Sequence, residues 1–187
     1  VRGADPRVFE RRHLILHQGD QRRYDDRNAA EKQRGDLVAH GFSGAGRRFE
    51  FKGKFNGADV FDDYAHHPGE VKALLDAVEL LGYKRTIVIF QPHTYSRTKA
   101  LFNDFVRQLK RPDIVYLAEI FAAREKNTLG ISSKDLADNI DGARFYKTFG
   151  EIVQSLRETA QPGDIILTVG AGNVYKIGEQ LLEDDYE

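Results

Sequence analysis

Five short apolar runs, each parted from the next by a polar turn or a stretch of helical spacing, limit what this chain can fold into. They are Ala58-Asp59-Val60-Phe61-Asp62, Arg85-Thr86-Ile87-Val88-Ile89-Phe90, Asp113-Ile114-Val115-Tyr116-Leu117, Ala143 to Tyr146, and Asp164-Ile165-Ile166-Leu167-Thr168-Val169. Between the first two, Val71, Leu74, Leu75, Val78 and Leu81 recur with the three-to-four spacing of one helix face over 69–81. Leu101, Phe102, Phe105 and Leu109 predict a second helix over 96–109. Ser132 or Ser133 caps a short helix carrying Leu136 and Ile140, and Thr148 caps one carrying Ile152, Val153 and Leu156. A last helix runs from Val174 to about Glu183. Strands alternating with helices predict an α/β fold: a doubly wound, mostly parallel sheet with helices on both faces and right-handed crossovers. Ahead of it, Arg48-Phe49-Glu50-Phe51-Lys52 alternates polar and apolar, and residues 53–57 turn back into the 58–62 run as a hairpin.

Order begins near Gly41. Residues 1–40 are rich in Arg, Asp and Gln, with Leu14-Ile15-Leu16 as their one apolar cluster. Such composition cannot bury enough apolar surface to offset chain entropy, so a poorly structured tail is expected there, with room for a single helix within 27–40. Residues 41–187 form the domain. The chain has no methionine, so it reads as a piece of something longer or as a trimmed product. Its formal net charge of −1 leaves no basic footprint for nucleic acid or an anionic membrane. It has no cysteine, which excludes disulfides and thiolate metal sites and suits a reducing cytoplasm. No apolar run approaches the roughly 20 residues needed to span a bilayer.

Chemistry concentrates after three of the strands. The first cluster is Asp62-Asp63-Tyr64-Ala65-His66-His67-Pro68, the second Gln91-Pro92-His93-Thr94-Tyr95-Ser96-Arg97-Thr98, and the third Glu119 through Ala122-Ala123-Arg124-Glu125-Lys126. In a parallel sheet these loops leave from one edge, where α/β folds bind their ligands. His66, His93, Arg97 and Arg124 are therefore candidate binding residues, with Arg97 in a first helical turn beside His93 suited to an anion. Some of this polarity has structural uses. Pro68 fits a first helical position and Glu70 a first turn. One of Asp62 and Asp63 is expected to cap the helix, and His67, ahead of proline, to satisfy backbone groups. No metal is assigned to the histidines: His66 and His67 are adjacent, and the acids lack a metal-ligand spacing. Gly170-Ala171-Gly172 falls short of the dinucleotide fingerprint. It reads equally as a tight strand-to-helix turn, which argues against a nicotinamide-dependent oxidoreductase.

Five segments in order resemble the Mur ligases: Phe42-Ser43-Gly44-Ala45-Gly46-Arg47-Arg48-Phe49-Glu50, the Asp62 to Pro68 cluster, Phe90-Gln91-Pro92-His93-Thr94-Tyr95-Ser96-Arg97-Thr98, Ala122-Ala123-Arg124-Glu125-Lys126, and Gly170-Ala171-Gly172-Asn173. The match covers Phe42 to about Leu182, and Phe90-Gln91-Pro92-His93 looks like the alanine-adding branch. The resemblance implies the C-terminal, Rossmann-like domain of a three-domain ligase of cell-wall peptidoglycan precursors, working in the cytoplasm with its own N-terminal and central domains as partners. It implies ATP and Mg²⁺, both held mainly by the central domain, whose Gly-Lys-Ser/Thr P-loop this sequence lacks. It implies activation of a carboxylate of UDP-N-acetylmuramate as an acyl phosphate, then attack by the amine of L-alanine. By the same resemblance Arg48 reaches the ATP phosphates, Asp63 takes the ribose hydroxyls and Tyr64 lies near the nucleotide. His66, His93 and Arg97 form the amino-acid pocket and carry the catalytic roles, with Arg97 on the alanine carboxylate. Arg124 is left between an anion contact and an ion pair with Glu125. Two positions depart from the family: Thr94 stands where many relatives have arginine, and Asn173 where most have aspartate. Residues 1–40 match nothing in the family, as a shifted reading frame would produce. The other reading is a stand-alone nucleotide- or anion-binding α/β module without catalysis.

Overall fold

A computed structural model describes residues 47–183. The expected tail over 1–40, and the Phe42 to Gly46 part of the first motif, lie outside the described residues. Six strands form one sheet in the order β1-β2-β6-β3-β4-β5, where β1 is Glu50–Phe55, β2 Ala58–Asp63, β3 Arg85–Phe90, β4 Ile114–Leu117, β5 Arg144–Phe145 and β6 Asp164–Val169. Only β1 runs antiparallel, against β2; every other pairing is parallel. Among the described residues five helices lie between strands, α1 Pro68–Glu79, α2 Tyr95–Ala100, α3 Phe102–Leu109, α4 Ser133–Ala137 and α5 Phe149–Thr159, and a sixth, α6 Tyr175–Glu183, follows β6.

Strand side chains alternate between two cores, as a pleated ribbon requires. Val88 and Phe90 of β3 and Leu167 of β6 face a cluster closed by Val71, Leu75 and Val78 of α1, Phe105 and Leu109 of α3, and Leu136 of α4. Ile87 and Ile89 of β3 and Ile166 of β6 face the other, closed by Ile152 and Leu156 of α5 and Ile177 and Leu181 of α6. Helices thus cover both faces, as the strand–helix alternation predicts.

Three local features differ from the sequence reading. The hairpin turn is shorter than 53–57: β1 continues through a bulge between Phe51 and Gly53 to Phe55, and the chain reverses over Asn56-Gly57. Both turn residues have left-handed backbones, φ 48° and 76°, the geometry that Asn-Gly favours in two-residue hairpins. The expected helix over 96–109 is broken at Leu101, whose φ and ψ are −111° and 20°. Leu101 and Phe102 both pack on the first core, which neighbouring residues of an unbroken helix, about 100° apart, cannot do equally well. Neither Asp62 nor Asp63 caps α1. His67 does, accepting from Gly69 N at 3.3 Å, while Glu70 Oε2 accepts from His66 N and His67 N at 3.0 and 3.2 Å in a capping box. Ser132 and Thr148 cap α4 and α5 with boxes to Asp135 and Glu151.

Leu156 is fully buried and Leu80 is 78% exposed. Chemical denaturation should therefore separate them: Leu156→Ala costs about 2–5 kcal/mol, and Leu80→Ala stays within about 0.5 kcal/mol of the parent.

Candidate functional site

The parallel ladder brings four strand ends level. Asp63 pairs with Val169, Val169 with Phe90, and Phe90 with Leu117. The loops that follow β2, β3, β4 and β6 therefore rise from one rim. At about 4.8 Å between strands, the rim from Asp63 to Leu117 is about 14 Å wide. The second and third loops are stitched further by a parallel bridge of His93 with Phe121: Thr94 N donates to Phe121 O and Phe121 N to Pro92 O, both at 2.9 Å.

On this rim the structure brings His66, His93 and Arg97 together. The two imidazoles lie 5.6 Å apart between ring centroids, and His93 stacks on Phe121 at 5.7 Å. Arg97 Nη1 lies 3.3 Å from His93 Nδ1. Nδ1 accepts this bond, so in neutral His93 the proton sits on Nε2. Burial, then the charge of Arg97, then His66, hold the His93 imidazole below the usual histidine range against a weaker opposite pull from Glu125. His66 is oriented by its own turn, with Nδ1 3.0 Å from Tyr64 O and 3.6 Å from Glu70 Oε2. Arg97 is half-buried and has no carboxylate partner among the described residues.

Thr94 precedes α2 with φ 67° and ψ 145°, a backbone that a β-branched residue adopts only under constraint. The constraint is visible: the Phe121 bond fixes its N–H, and its carbonyl accepts both Thr98 N at 3.2 Å and Thr98 Oγ1 at 2.7 Å. Glu125 accepts from the backbone and hydroxyl of Ser96. The carboxylate is therefore held by Ser96, and no Glu125–Arg124 ion pair occurs among the described residues. Arg124 itself is exposed.

Arg48, Asp63 and Tyr64 share a second patch, a cleft of about 540 Å³ whose floor includes Phe49 and Leu74. Asp63 Oδ1 accepts Ala65 N and Oδ2 accepts Phe49 N, both at 2.8 Å, which leaves each oxygen one lone pair. Burial raises the Asp63 carboxyl above the ordinary aspartate range, against the pull of those two amides; Asp62 adds to the rise and Arg48 opposes it. For Glu70, burial also pushes upward, but the His66 amide, the His66 charge and the His67 amide outweigh it and the carboxyl is lowered. Arg48 acts on both carboxyls, which line the same cleft.

Arg47 and Gln91, to which the sequence reading gave no role, are also tied into this rim. Arg47 Nε donates to Asp62 Oδ2 at 2.7 Å; Nη2 donates to Gly170 O and Nη1 to Gly172 O, both at 3.0 Å. Its guanidinium lies over Tyr175 at 4.7 Å and Tyr64 at 5.4 Å. Asp62, 1% exposed, also accepts the Thr168 hydroxyl at 2.7 Å. Gln91 Nε2 donates to Asn173 Oδ1 at 3.0 Å. A Cβ on Gly172 would stand 2.3 Å from Gln91 Oε1 and 2.7 Å from Phe121, so the turn must be glycine to pack here. The Gly170-Ala171-Gly172 turn is thus a packing seam whose carbonyls bind Arg47. No local signal in the sequence marked Arg47, because its partners Asp62, Gly170 and Gly172 are distant in the chain.

The described residues hold no cluster of three or more acidic, histidine or cysteine side chains able to bind a metal ion. No helix among them is long and apolar enough to cross a membrane.

Fold and rim together define the glutamate ligase domain of the Mur ligases, whose family model matches residues 47–172, and the chain belongs to that family. It is similar to UDP-N-acetylmuramate–L-alanine ligase of Agathobacter rectalis, 51% identical over 146 residues, covering 76% of this chain and 32% of that protein. The enzyme of the same name from Caldanaerobacter subterraneus is 49% identical over 148 residues, covering 77% and 32%. The chain thus spans about a third of the length of these relatives. The crystal structure of the UDP-N-acetylmuramate–alanine ligase of Thermotoga maritima shares the fold with a TM-score of 0.62 at 24% identity, over 77% of this chain and 31% of that one.

The His93 environment makes a prediction for ring-proton NMR. His93 should titrate below an ordinary histidine, and Arg97→Ala should move it upward without restoring it fully, because burial is the larger cause. Since the folded value lies below the unfolded one, His93 lowers stability as pH falls through the unfolded value near 6.5. Denaturation from pH 7.5 to 5.5 should therefore show a shallower loss in His93→Gln than in the parent.

Proposed function

We propose that this chain is the C-terminal domain of a ligase that joins L-alanine to UDP-N-acetylmuramate, a step in making peptidoglycan precursors. The observation that carries the reading is the meeting of His66, His93 and Arg97 on one rim beside the Arg48, Asp63 and Tyr64 cleft. Family membership and the two ligases at about half identity support it.

In this reading ATP supplies the phosphoryl group that turns a carboxylate of the sugar into an acyl phosphate, with ADP leaving. The α-amine of L-alanine then attacks the acyl carbon, phosphate departs and an amide remains. Positioning and charge neutralisation dominate such chemistry. Arg97 fits the alanine carboxylate, since its fork faces the rim with no acidic partner of its own. A neutral His93 beside it neither competes for that carboxylate nor repels the incoming amine, and its Nε2–H is the donor it can offer. His66, braced by Tyr64 O and Glu70, closes the pocket opposite. Asp63 keeps one lone pair on each oxygen for ribose hydroxyls, Tyr64 borders the base or sugar, and Arg48 reaches toward the phosphates. Arg124, exposed on the third loop, is a peripheral anion contact.

The described residues fit part of a nucleotide but do not fit a Mg²⁺ ion, because among them no cluster of three or more acidic, histidine or cysteine side chains could hold one. The ion is assigned to the P-loop domain and the ATP phosphates. The sequence has no P-loop, so residues 1–187 bind and orient but do not catalyse alone; closure of the P-loop domain onto this rim completes the site. The competing reading, a stand-alone anion- or nucleotide-binding module, needs no such closure.

Phosphate release separates the two. The isolated chain, given ATP, Mg²⁺, UDP-N-acetylmuramate and L-alanine, should release none. Fused behind the family's N-terminal and P-loop domains it should show alanine-dependent release, and there Arg97→Ala should raise the KM for L-alanine about tenfold or more, with little change for ATP. Release by the isolated chain, or an unchanged alanine KM, would refute the assignment.

A further inference from the structure

The proposed chemistry gives Arg48 a task and leaves Arg47 none, yet Arg47 is the better-held side chain. We propose that Arg47 is a positioning residue: it latches the start of the domain onto the Gly170 to Gly172 turn and so aims Arg48 at the cleft. This rests on the nucleotide reading of Arg48, Asp63 and Tyr64.

The latch is a closed circuit of hydrogen bonds. The Arg47 side chain donates to Gly170 O at 3.0 Å, and Gly170 N donates to Asp63 O at 3.0 Å. The Asp63 carboxylate accepts Phe49 N at 2.8 Å, and Tyr64 N donates to Arg47 O at 2.6 Å. Arg48 hangs between the last two bonds, both made to the Asp63-Tyr64 corner. Its neighbours have left-handed backbones, φ 63° at Arg47 and 45° at Phe49, which non-glycine residues adopt only when surroundings hold them. With both neighbours so turned, the Arg47 side chain goes into the fold and the Arg48 side chain is left exposed at the cleft.

A planar fork is needed for this. Arg47 serves a carboxylate on one edge and two carbonyls on the other, and the two tyrosine rings lie against its plane. A lysine ammonium at the same place carries the charge but cannot span the three acceptors. Asp62, almost without solvent, has its carboxylate faced by the Arg47 guanidinium and the Thr168 hydroxyl, so the latch sits in a buried corner. Arg47 therefore acts on a ligand through Arg48.

The test is a titration of the full ¹⁵N-labelled chain with ADP, followed at the amides of Arg48, Asp63 and Tyr64. Arg47→Lys should weaken ADP binding about tenfold, the scale of one charge-assisted contact. Arg48→Ala should weaken it comparably, and the double variant no further than either single one. Full additivity, or undiminished binding by Arg47→Lys, would overturn the proposal, since a residue acting through Arg48 has nothing to lose once Arg48 is gone. If Arg47→Lys does not fold, Asp62→Asn loosens the same latch from the other end and should weaken ADP in the same direction; undiminished binding there overturns it too. If the parent chain gives no shifts at millimolar ADP, the nucleotide reading fails, and the latch is then judged by amide exchange. Arg47→Lys should speed exchange at Phe49 and Tyr64 about tenfold while amides of β3 keep their protection. Unchanged exchange at Phe49 and Tyr64 would overturn the latch.

Discussion

The level ends of four parallel strands are the constraint on which the rest of this molecule depends. Hydrogen bonding sets the register that puts Asp63, Val169, Phe90 and Leu117 side by side. Shifting one strand by a residue would turn its core side chains to the wrong face, so packing enforces that register as strongly as the ladder does. The two apolar clusters therefore do more than stabilise. They fix the height at which each polar loop begins, and they make one rim out of residues as far apart in sequence as Asp63 and Val169.

The rim divides its charges into two kinds. Some are consumed internally: Arg47 with Asp62 and the glycine turn, and Glu125 with Ser96. Others have no carboxylate partner among the described residues: Arg48 at the cleft and Arg97 beside His93. This division gives the site its sign. A half-buried Arg97 beside a histidine held neutral offers a positive spot for a carboxylate without a second cation crowding it.

Much of this was legible in the residues themselves. The strands announced themselves through runs such as Thr86-Ile87-Val88-Ile89-Phe90, and Ser132 and Thr148 marked helix starts through their side-chain chemistry. The meeting of the second and third loops could be expected because parallel strands end on one edge. Other features depended on tertiary context. The break at Leu101 follows from two adjacent apolar residues both seeking the core, which periodicity alone cannot weigh. His67 displaced the aspartates as cap because Asp62 is drawn to Arg47 and Asp63 to the amides of Phe49 and Ala65. Glu125 turned to Ser96 because the bridge between His93 and Phe121 brings those two loops into contact. In each case a long-range partner outbid a local one. The Asn56-Gly57 turn is different: its dipeptide signal was plain, and the neighbouring glycines drew the boundary three residues too early.

The pocket proposed for a small amino acid is lined by His66, His93 and Arg97. Its most direct measurement is a titration of the labelled chain with L-alanine, mapping amide and histidine-ring shifts residue by residue. Shifts should gather on His66, His93, Arg97 and their flanking loops, and should be lost in Arg97→Ala. Shifts spread over the α5 and α6 face, or a pattern indifferent to Arg97, would contradict it.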